Sequence, residues 1–295
     1  MDIGDDKGQG MNITAVVVLY HLRPDQSPTI ATLVRSFERI RGSGPGLNLI
    51  IYDNSPKPQQ VDIPLPFEHR YVHDALNGGL AAAYNYALNS DPGGDGQWLL
   101  LLDQDSTLPD NFLEEVFKAL NLIGMDDGVA AVVPKILQRR RLISPALVKG
   151  GRVQPVKNIE PGVSRENLTA LNSGALLRKN FLIGIGGFNQ QFRLDYLDHW
   201  LFSEIKRRGK KVCVTGAVIG HDLSIGNSGP VPPGRYLSIL RSETLFYREY
   251  AGAGNFPWHL GNLALRSFRH LLMGRWNLSL MTARHFYRVL ANQKP

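Results

Sequence analysis

Gln97-Trp98-Leu99-Leu100-Leu101-Leu102-Asp103-Gln104-Asp105-Ser106 is an apolar run that ends abruptly in two carboxylates. A short continuous apolar run between polar residues is the pattern of a strand buried on both faces of a parallel sheet. In open α/β sheets the ligand sits beyond the carboxyl ends of such strands. Two acids one residue apart at that edge suit a divalent cation that carries phosphates. The plainer alternative is an Asp-rich turn capping the next helix, which Thr107-Leu108-Pro109-Asp110 opens.

Upstream, Ile13 to Tyr20 is a β-branched run without alternation and reads as a buried first strand. Apolar residues Ile30, Leu33, Val34, Phe37 and Ile40 recur at helical spacing over 29–41. A second buried strand, Leu47 to Tyr52, stops at Asp53-Asn54-Ser55, and an acid at that strand end commonly meets a nucleotide's ribose or base. The first turn lacks the G-x-G-x-x-G fingerprint and no Walker A sequence occurs, which disfavours dinucleotide oxidoreductases and P-loop enzymes. Phe67 to Val72 gives a third strand, in which His69 and His73 read as ordinary polar residues. Asn77-Gly78-Gly79 then turns into a helix of small residues, Ala81 to Ala83, that can lie close to a sheet or a ligand. Asn85 inside that apolar helix needs a partner and is a candidate ligand contact.

Downstream, a helix is expected from Pro109 to Ile123 and a strand over Val129 to Val133. Residues 138–168 show few periodic apolar positions and read as a long loop, with Arg139-Arg140-Arg141 as a solvated charge run. Leu171 to Arg178 reads as a strand interrupted at Ser173-Gly174, where a substrate or backbone could approach. Gly184 to Phe188 is a Gly-rich turn, and a helix follows that ends near Arg208-Gly209. Asp195 and Asp198 stand one helical turn apart near its start, where one could serve as a general base or both could complement the helix dipole. Lys211 to Thr215 is a strand, and His221 follows a strand end where a metal ligand can stand.

The totals fit one large domain with a helical appendage: 295 residues, 43% hydrophobic and 20% charged. The single Cys213 rules out an intrachain disulfide and a Cys-based zinc site, and suits a reducing compartment. No stretch is apolar enough to span a bilayer. Residues 1–11 read as a flexible polar tail rather than a secretory signal. The net charge of +7 arises entirely in residues 230–295, which carry 9 Lys+Arg against 2 Asp+Glu. That segment reads as three helices, 235–251, 257–273 and 277–291, in which Arg and aromatic residues interleave with Leu and Phe. Such basic amphipathic helices suit a membrane surface, or a subdomain packed on the catalytic domain or a second subunit. Nucleic acid is disfavoured because no recognition motif accompanies the charge.

Order and spacing together resemble the family 2 glycosyltransferases of the GT-A fold, especially the bacterial rhamnosyltransferase branch. The resemblance covers roughly residues 12–250. It rests on Val16 to Tyr20, Asp53-Asn54-Ser55, Asn77-x-Gly79 with Asn85, Asp103-Gln104-Asp105, Asn172-Ser173-Gly174, Gly186-Gly187-Phe188, Asp195-Tyr196-Leu197-Asp198 and His221. It implies a mixed, mainly parallel α/β sheet flanked by helices, with residues 12–233 as catalytic domain and 234–295 as the basic helical extension. Tyr20, Asp53, Asn54, Gly79, Asn85 and Asp103 would contact the nucleotide sugar. Asp103 and Asp105 match a D-x-D element that holds Mg²⁺ or Mn²⁺, completed by His221. Asp198 matches the general base, and Ser173, Gly174, Asp195 and Trp200 would meet the acceptor. The implied reaction is an inverting single displacement from dTDP-L-rhamnose, or alternatively a UDP-hexose, onto a glycan or lipid-linked acceptor in surface polysaccharide synthesis. The implied setting is the cytoplasm, with peripheral membrane contact and a homo-oligomer as possible partners. The sequence departs from the family pattern at Leu197-Asp198-His199-Trp200, which keeps only one acid, and at Arg241-Ser242-Glu243, where Arg-Asn is frequent. A catalytically silent nucleotide-sugar-binding or scaffold protein is the alternative from another class.

Overall fold

A computed structural model describes residues 12–42, 44, 46–61, 63–90, 97–220, 232–252 and 254–291. The expected tail at 1–11 and His221 lie outside these residues. In chain order the first half runs β1 (Asn12–Leu19), α1 (Pro28–Ile40), β2 (Gly46–Asp53), β3 (Glu68–His73), α2 (Gly79–Asn89), β4 (Trp98–Asp103) and α3 (Phe112–Ile123). β5 (Val129–Gln138) and five short strands follow: β6 (Arg141–Ser144), β7 (Ala146–Lys149), β8 (Arg152–Gln154), β9 (Gly162–Val163) and β10 (Leu168–Thr169). Then come β11 (Leu176–Arg178), α4 (Lys179–Gly184), α5 (Leu197–Arg207) and β12 (Lys211–Gly220). Three helices close the chain: α6 (Pro233–Glu249), α7 (Asn255–Leu272) and α8 (Trp276–Leu290).

The main sheet has the order β3-β2-β1-β4-β11-β5-β12-β9, with β6 paired to β5. β3, β2, β1 and β4 are mutually parallel, β11 runs antiparallel between β4 and β5, and β12 is parallel to β5. Both faces are covered. Ile13, Ala15, Val17 and Leu19 of β1 pack with α1 and α3, whereas Val16 and Val18 pack with α2 and α5. That two-sided burial is why β1 and β4 carry unbroken apolar runs rather than alternation. Ser27 caps α1 by accepting from the Ile30 N–H, with Pro28 at the first helical position.

Two expectations change. The stretch 138–168 is not a structureless loop: it holds β6 to β10, and β10-β7-β8 form a second, three-stranded sheet. The triple arginine sits at the β5–β6 turn, where Arg139 and Arg140 take positive φ. The strand expected over Leu171 to Arg178 shrinks to Leu176–Arg178, because Gly174 at φ 75° turns the chain just before it.

The C-terminal helices pack around an unusually polar interior. Thr244 Oγ1 lies 2.9 Å from His259 Nε2 and 2.8 Å from His285 Nε2, and Arg266 clamps the buried Glu243 with two bonds of 2.6 and 2.8 Å. No helix among the described residues is long and apolar enough to cross a membrane. Burial lowers the His259 pKa from 6.5 to about 4, against an opposing pull from Glu243. The unfolded chain therefore binds a proton that the folded chain refuses, so stability is full above pH ~6.5 and falls as pH drops towards ~4. The loss from this group alone is roughly 3 kcal/mol across that window. Urea unfolding at pH about 7.5 and about 5 reads it, and His259→Gln is expected to flatten the dependence.

Candidate functional site

The parallel half of the sheet places three strand ends side by side. Leu19 is in register with Asp53 on one side of β1, and Val18 with Asp103 on the other. Tyr20, Asp53 and Asp103 therefore share the carboxyl edge of the parallel strands. This is the crevice that doubly wound sheets use for ligands.

The loop after β4 is held from below. The Tyr20 N–H donates to Gln104 Oε1 at 2.7 Å, and Ser27 Oγ donates to the Gln104 carbonyl at 2.7 Å. Ser106 N–H donates to Thr29 Oγ1 at 2.8 Å, whose hydroxyl donates to the Ser106 carbonyl at 2.9 Å. Asp103 accepts from the hydroxyl of Ser173, which is buried and also lies 3.2 Å from Ser106 Oγ. Asp105 differs: its carboxylate is exposed and has no hydrogen bond or ion pair to any described residue. Thr107, two residues on, bridges Gly220 at the end of β12.

Among the described residues no group of three or more His, Cys, Asp or Glu side chains gathers into a metal site. The two carboxylates nevertheless fit Mg²⁺ or Mn²⁺. Oxygen donors suit these hard cations, and a cation that also binds substrate phosphates needs only one or two protein carboxylates. The exposed Asp105 supplies an oxygen pair that no described residue uses.

Several expected donor contacts serve the scaffold instead. Asp53 is fully buried, and its carboxylate accepts from Ser55 N–H, Gln59 N–H and the Tyr71 hydroxyl, which holds the 53–59 loop. Beside it Asn54 is buried with its side-chain oxygen unbonded. Asn85 exchanges two bonds with the Phe188 backbone, donating at 2.8 Å and accepting at 2.7 Å, so both ends of its amide are engaged away from the edge. Gly79 sits at φ 82°, and the Leu80 N–H behind it donates to the Arg193 carbonyl at 2.7 Å. A side chain at Gly79 would collide with that carbonyl.

On the other wall, Tyr196 in a left-handed conformation (φ 67°) turns the chain into α5. Asp198 stands in the first turn, half-buried, and accepts from the His199 N–H at 2.8 Å. Asp195 accepts from Arg235 at 2.9 Å, but its second oxygen is buried and unbonded. Burial raises its pKa despite Arg235. Of the expected acceptor contacts, Trp200 is a core residue at 5% exposure. Gly174 packs tightly beneath Ile219 and Pro134.

One residue joins the two walls, and sequence reasoning did not single it out. Tyr84 of α2 is completely buried with its hydroxyl unbonded. Its pKa rises well above 10, first through burial and then through the charges of Asp103 and Asp198. The available signal was a phenol directly after the alanine run of α2, on the side opposite the exposed Tyr86. Beside the Asp198 turn, a cavity of about 310 Å³ is walled by Tyr196, His199, Phe246, Tyr247 and Tyr250.

The sequence model of glycosyl transferase family 2 matches residues 15–179, from β1 to the start of α4. No curated protein sequence matches the chain. Among solved structures the chain is similar to S. aureus TarS 1-349 in complex with UDP-GlcNAc, with a TM-score of 0.49 at 12% identity over 96% of this chain and 93% of that one. A longer S. aureus TarS chain gives 0.47 at 12% identity over 88% of this chain, which spans only 43% of that one. A mixed, mostly parallel sheet with flanking helices is the GT-A arrangement of that family. With more than half of its length matched by the family model, the chain belongs to glycosyl transferase family 2.

Proposed function

We propose that the protein is a metal-assisted, inverting transferase that moves L-rhamnose from dTDP-L-rhamnose onto a glycan or lipid-linked acceptor of a bacterial surface polysaccharide. The observation that carries the reading is the strand edge at which Asp53 and Asp103 end β2 and β4 on either side of β1, with the exposed Asp105 just beyond, in a chain of glycosyl transferase family 2. Rhamnose as the donor sugar is supported by the order of motifs from Asp53 to His221.

The nucleotide lies over the ends of β1 and β2, against Tyr20 and Asn54. Asp103 and Asp105 would hold Mg²⁺ or Mn²⁺, whose charge offsets that of the departing nucleoside diphosphate. The acceptor enters from the α5 side, over the aromatic cavity beside His199. Asp198 takes the proton of the acceptor hydroxyl as its oxygen forms a bond to the anomeric carbon. The bond from that carbon to the diphosphate oxygen breaks on the opposite face, so configuration inverts. One base suffices, unlike the paired carboxyls of a glycoside hydrolase.

A thermal-shift screen of nucleotide sugars with Mn²⁺ tests the donor. Saturating dTDP-rhamnose is expected to raise the melting temperature by several degrees, roughly what ligand at about 100 times its Kd gives. A larger shift with UDP-hexoses would replace the donor, and no shift with any nucleotide sugar would overturn the reading.

A further inference from the structure

The hairpin of α7 and α8 is built inside out. Its inner positions are largely polar: α7 buries Asn255 and His259 beside Leu263, and α8 buries Ser279, Thr282 and His285 beside Val289. These groups satisfy one another, as in Ser267 Oγ donating to the Ser279 carbonyl at 2.9 Å and Thr282 Oγ1 lying 2.8 Å from the Tyr236 hydroxyl. A second set of apolar residues faces away from the small inner cluster to which Leu263, Leu278, Met281 and Phe286 belong. Leu265, Phe268 and Leu272 recur at helical spacing along the outside of α7, and Trp276, Leu280 and Tyr287 do so along α8. The stripes meet at the turn between the helices, where Leu272 is 71% exposed, Met273 66% and Trp276 68%. Water-soluble helices place such stripes on the core side, so an outward stripe marks an apolar partner.

The charges say which partner. From residue 250 to 291 the chain carries Arg266, Arg269, Arg275, Arg284 and Arg288 and no Asp or Glu. Arg266 is committed to Glu243, and the other four are exposed. A second copy of the chain would set these arginines against their own kind. An anionic lipid surface instead meets the arginines with headgroup charge and the stripe with acyl chains.

We propose that the outer face of the α7–α8 hairpin is a membrane-docking surface for anionic lipid, inserted at its tip through Leu272, Met273 and Trp276 and seated by Arg269, Arg275, Arg284 and Arg288. The hairpin lies in the interface and does not span it. The proposal concerns where the protein works and stands whether or not the donor assignment holds.

Co-sedimentation of the full chain with vesicles tests it. The wild type is expected to pellet with phosphatidylglycerol-containing vesicles at low salt, to leave them at high salt, and to remain in solution with phosphatidylcholine alone. Trp276 emission shifts to the blue on binding, because it is the most exposed of the four tryptophans, with Trp98 and Trp200 in the core and Trp258 only 36% exposed. Arg269→Glu with Arg275→Glu is expected to lower partitioning about 30-fold or more. Leu272→Asp with Trp276→Asp is expected to lower it roughly tenfold or more. All four side chains are exposed, so the melting temperature should stay at the wild-type value, which separates lost docking from lost folding. Trp276→Phe keeps binding and loses the spectral shift. The proposal is overturned if the wild type stays in the supernatant with anionic vesicles at low salt, or if both double variants pellet as the wild type does. It is overturned equally if the wild type is a dimer in solution that Leu272→Asp with Trp276→Asp converts to monomer, since a second copy then covers the stripe.

Discussion

Replacing Asp198 with asparagine is expected to lower turnover by about 10²- to 10⁴-fold, the usual worth of a positioned general base. Asparagine keeps the shape and retains an oxygen that can accept from the His199 N–H, the bond that sets the side chain at the start of α5. It is also a tolerated residue near a helix start, so folding should survive. The amide cannot take the acceptor's proton, and that is the only function removed. Donor affinity measured by calorimetry should therefore stay within about twofold while transfer collapses, a pattern that marks an interaction made only in the transition state. Full transfer by this variant would remove Asp198 from the mechanism.

Asp105→Ala is expected to abolish the gain in nucleotide-diphosphate affinity that Mn²⁺ confers and to reduce turnover on the order of 10²-fold or more. Asp105 is the cleaner probe of the pair. Its carboxylate is exposed and bonds to no described residue, so its removal should leave the melting temperature unchanged. Asp103 is tied to Ser173, so replacing it would disturb the join between the two halves of the sheet as well as any ion. Isothermal titration with and without Mn²⁺ decides: equal affinities for the wild type in both conditions would remove the cation from the site.

What the sequence made legible follows the physics of burial. β1, β2 and β4 could be read because strands buried on both faces must be apolar throughout, and turn residues bounded them. The helices could be read because α1 and α3 bury one stripe each. The strands of 141–169 could not, because each has only 2 to 4 residues, too few for a period to show. At the candidate site, Asp103 and Asp105 stood out by position alone. Side-chain duty did not: the partners of Asp53 lie as far off as Tyr71, and Asn85 finds Phe188 across the fold. A buried polar residue announces that it needs a partner, and the sequence is silent on whether that partner is a ligand or the backbone. Tyr84 shows the converse, a residue hidden in a bland helix whose hydroxyl the fold buries without a hydrogen bond. The hairpin shows a further limit. Its amphipathic period was plain, but which stripe turned inward was decided by the histidine and threonine bonds of the bundle.

The strand β11 is only 3 residues long, yet among the described strands it is the one that lies between β4 and β5. β4 is complete at Asp103, and its neighbour on that side arrives only at Leu176. During synthesis the N-terminal half therefore emerges with one long apolar strand edge open, a template for pairing with other chains until the later segment closes it. The same segment delivers Ser173 to Asp103, so protection of the edge and completion of the candidate site's rim are one event. Its distant pairing makes it a late one, because loop closure must be overcome before the contact rewards it. Nascent chains stalled before Leu176 would hold a nearly finished parallel half-sheet whose open edge is sticky.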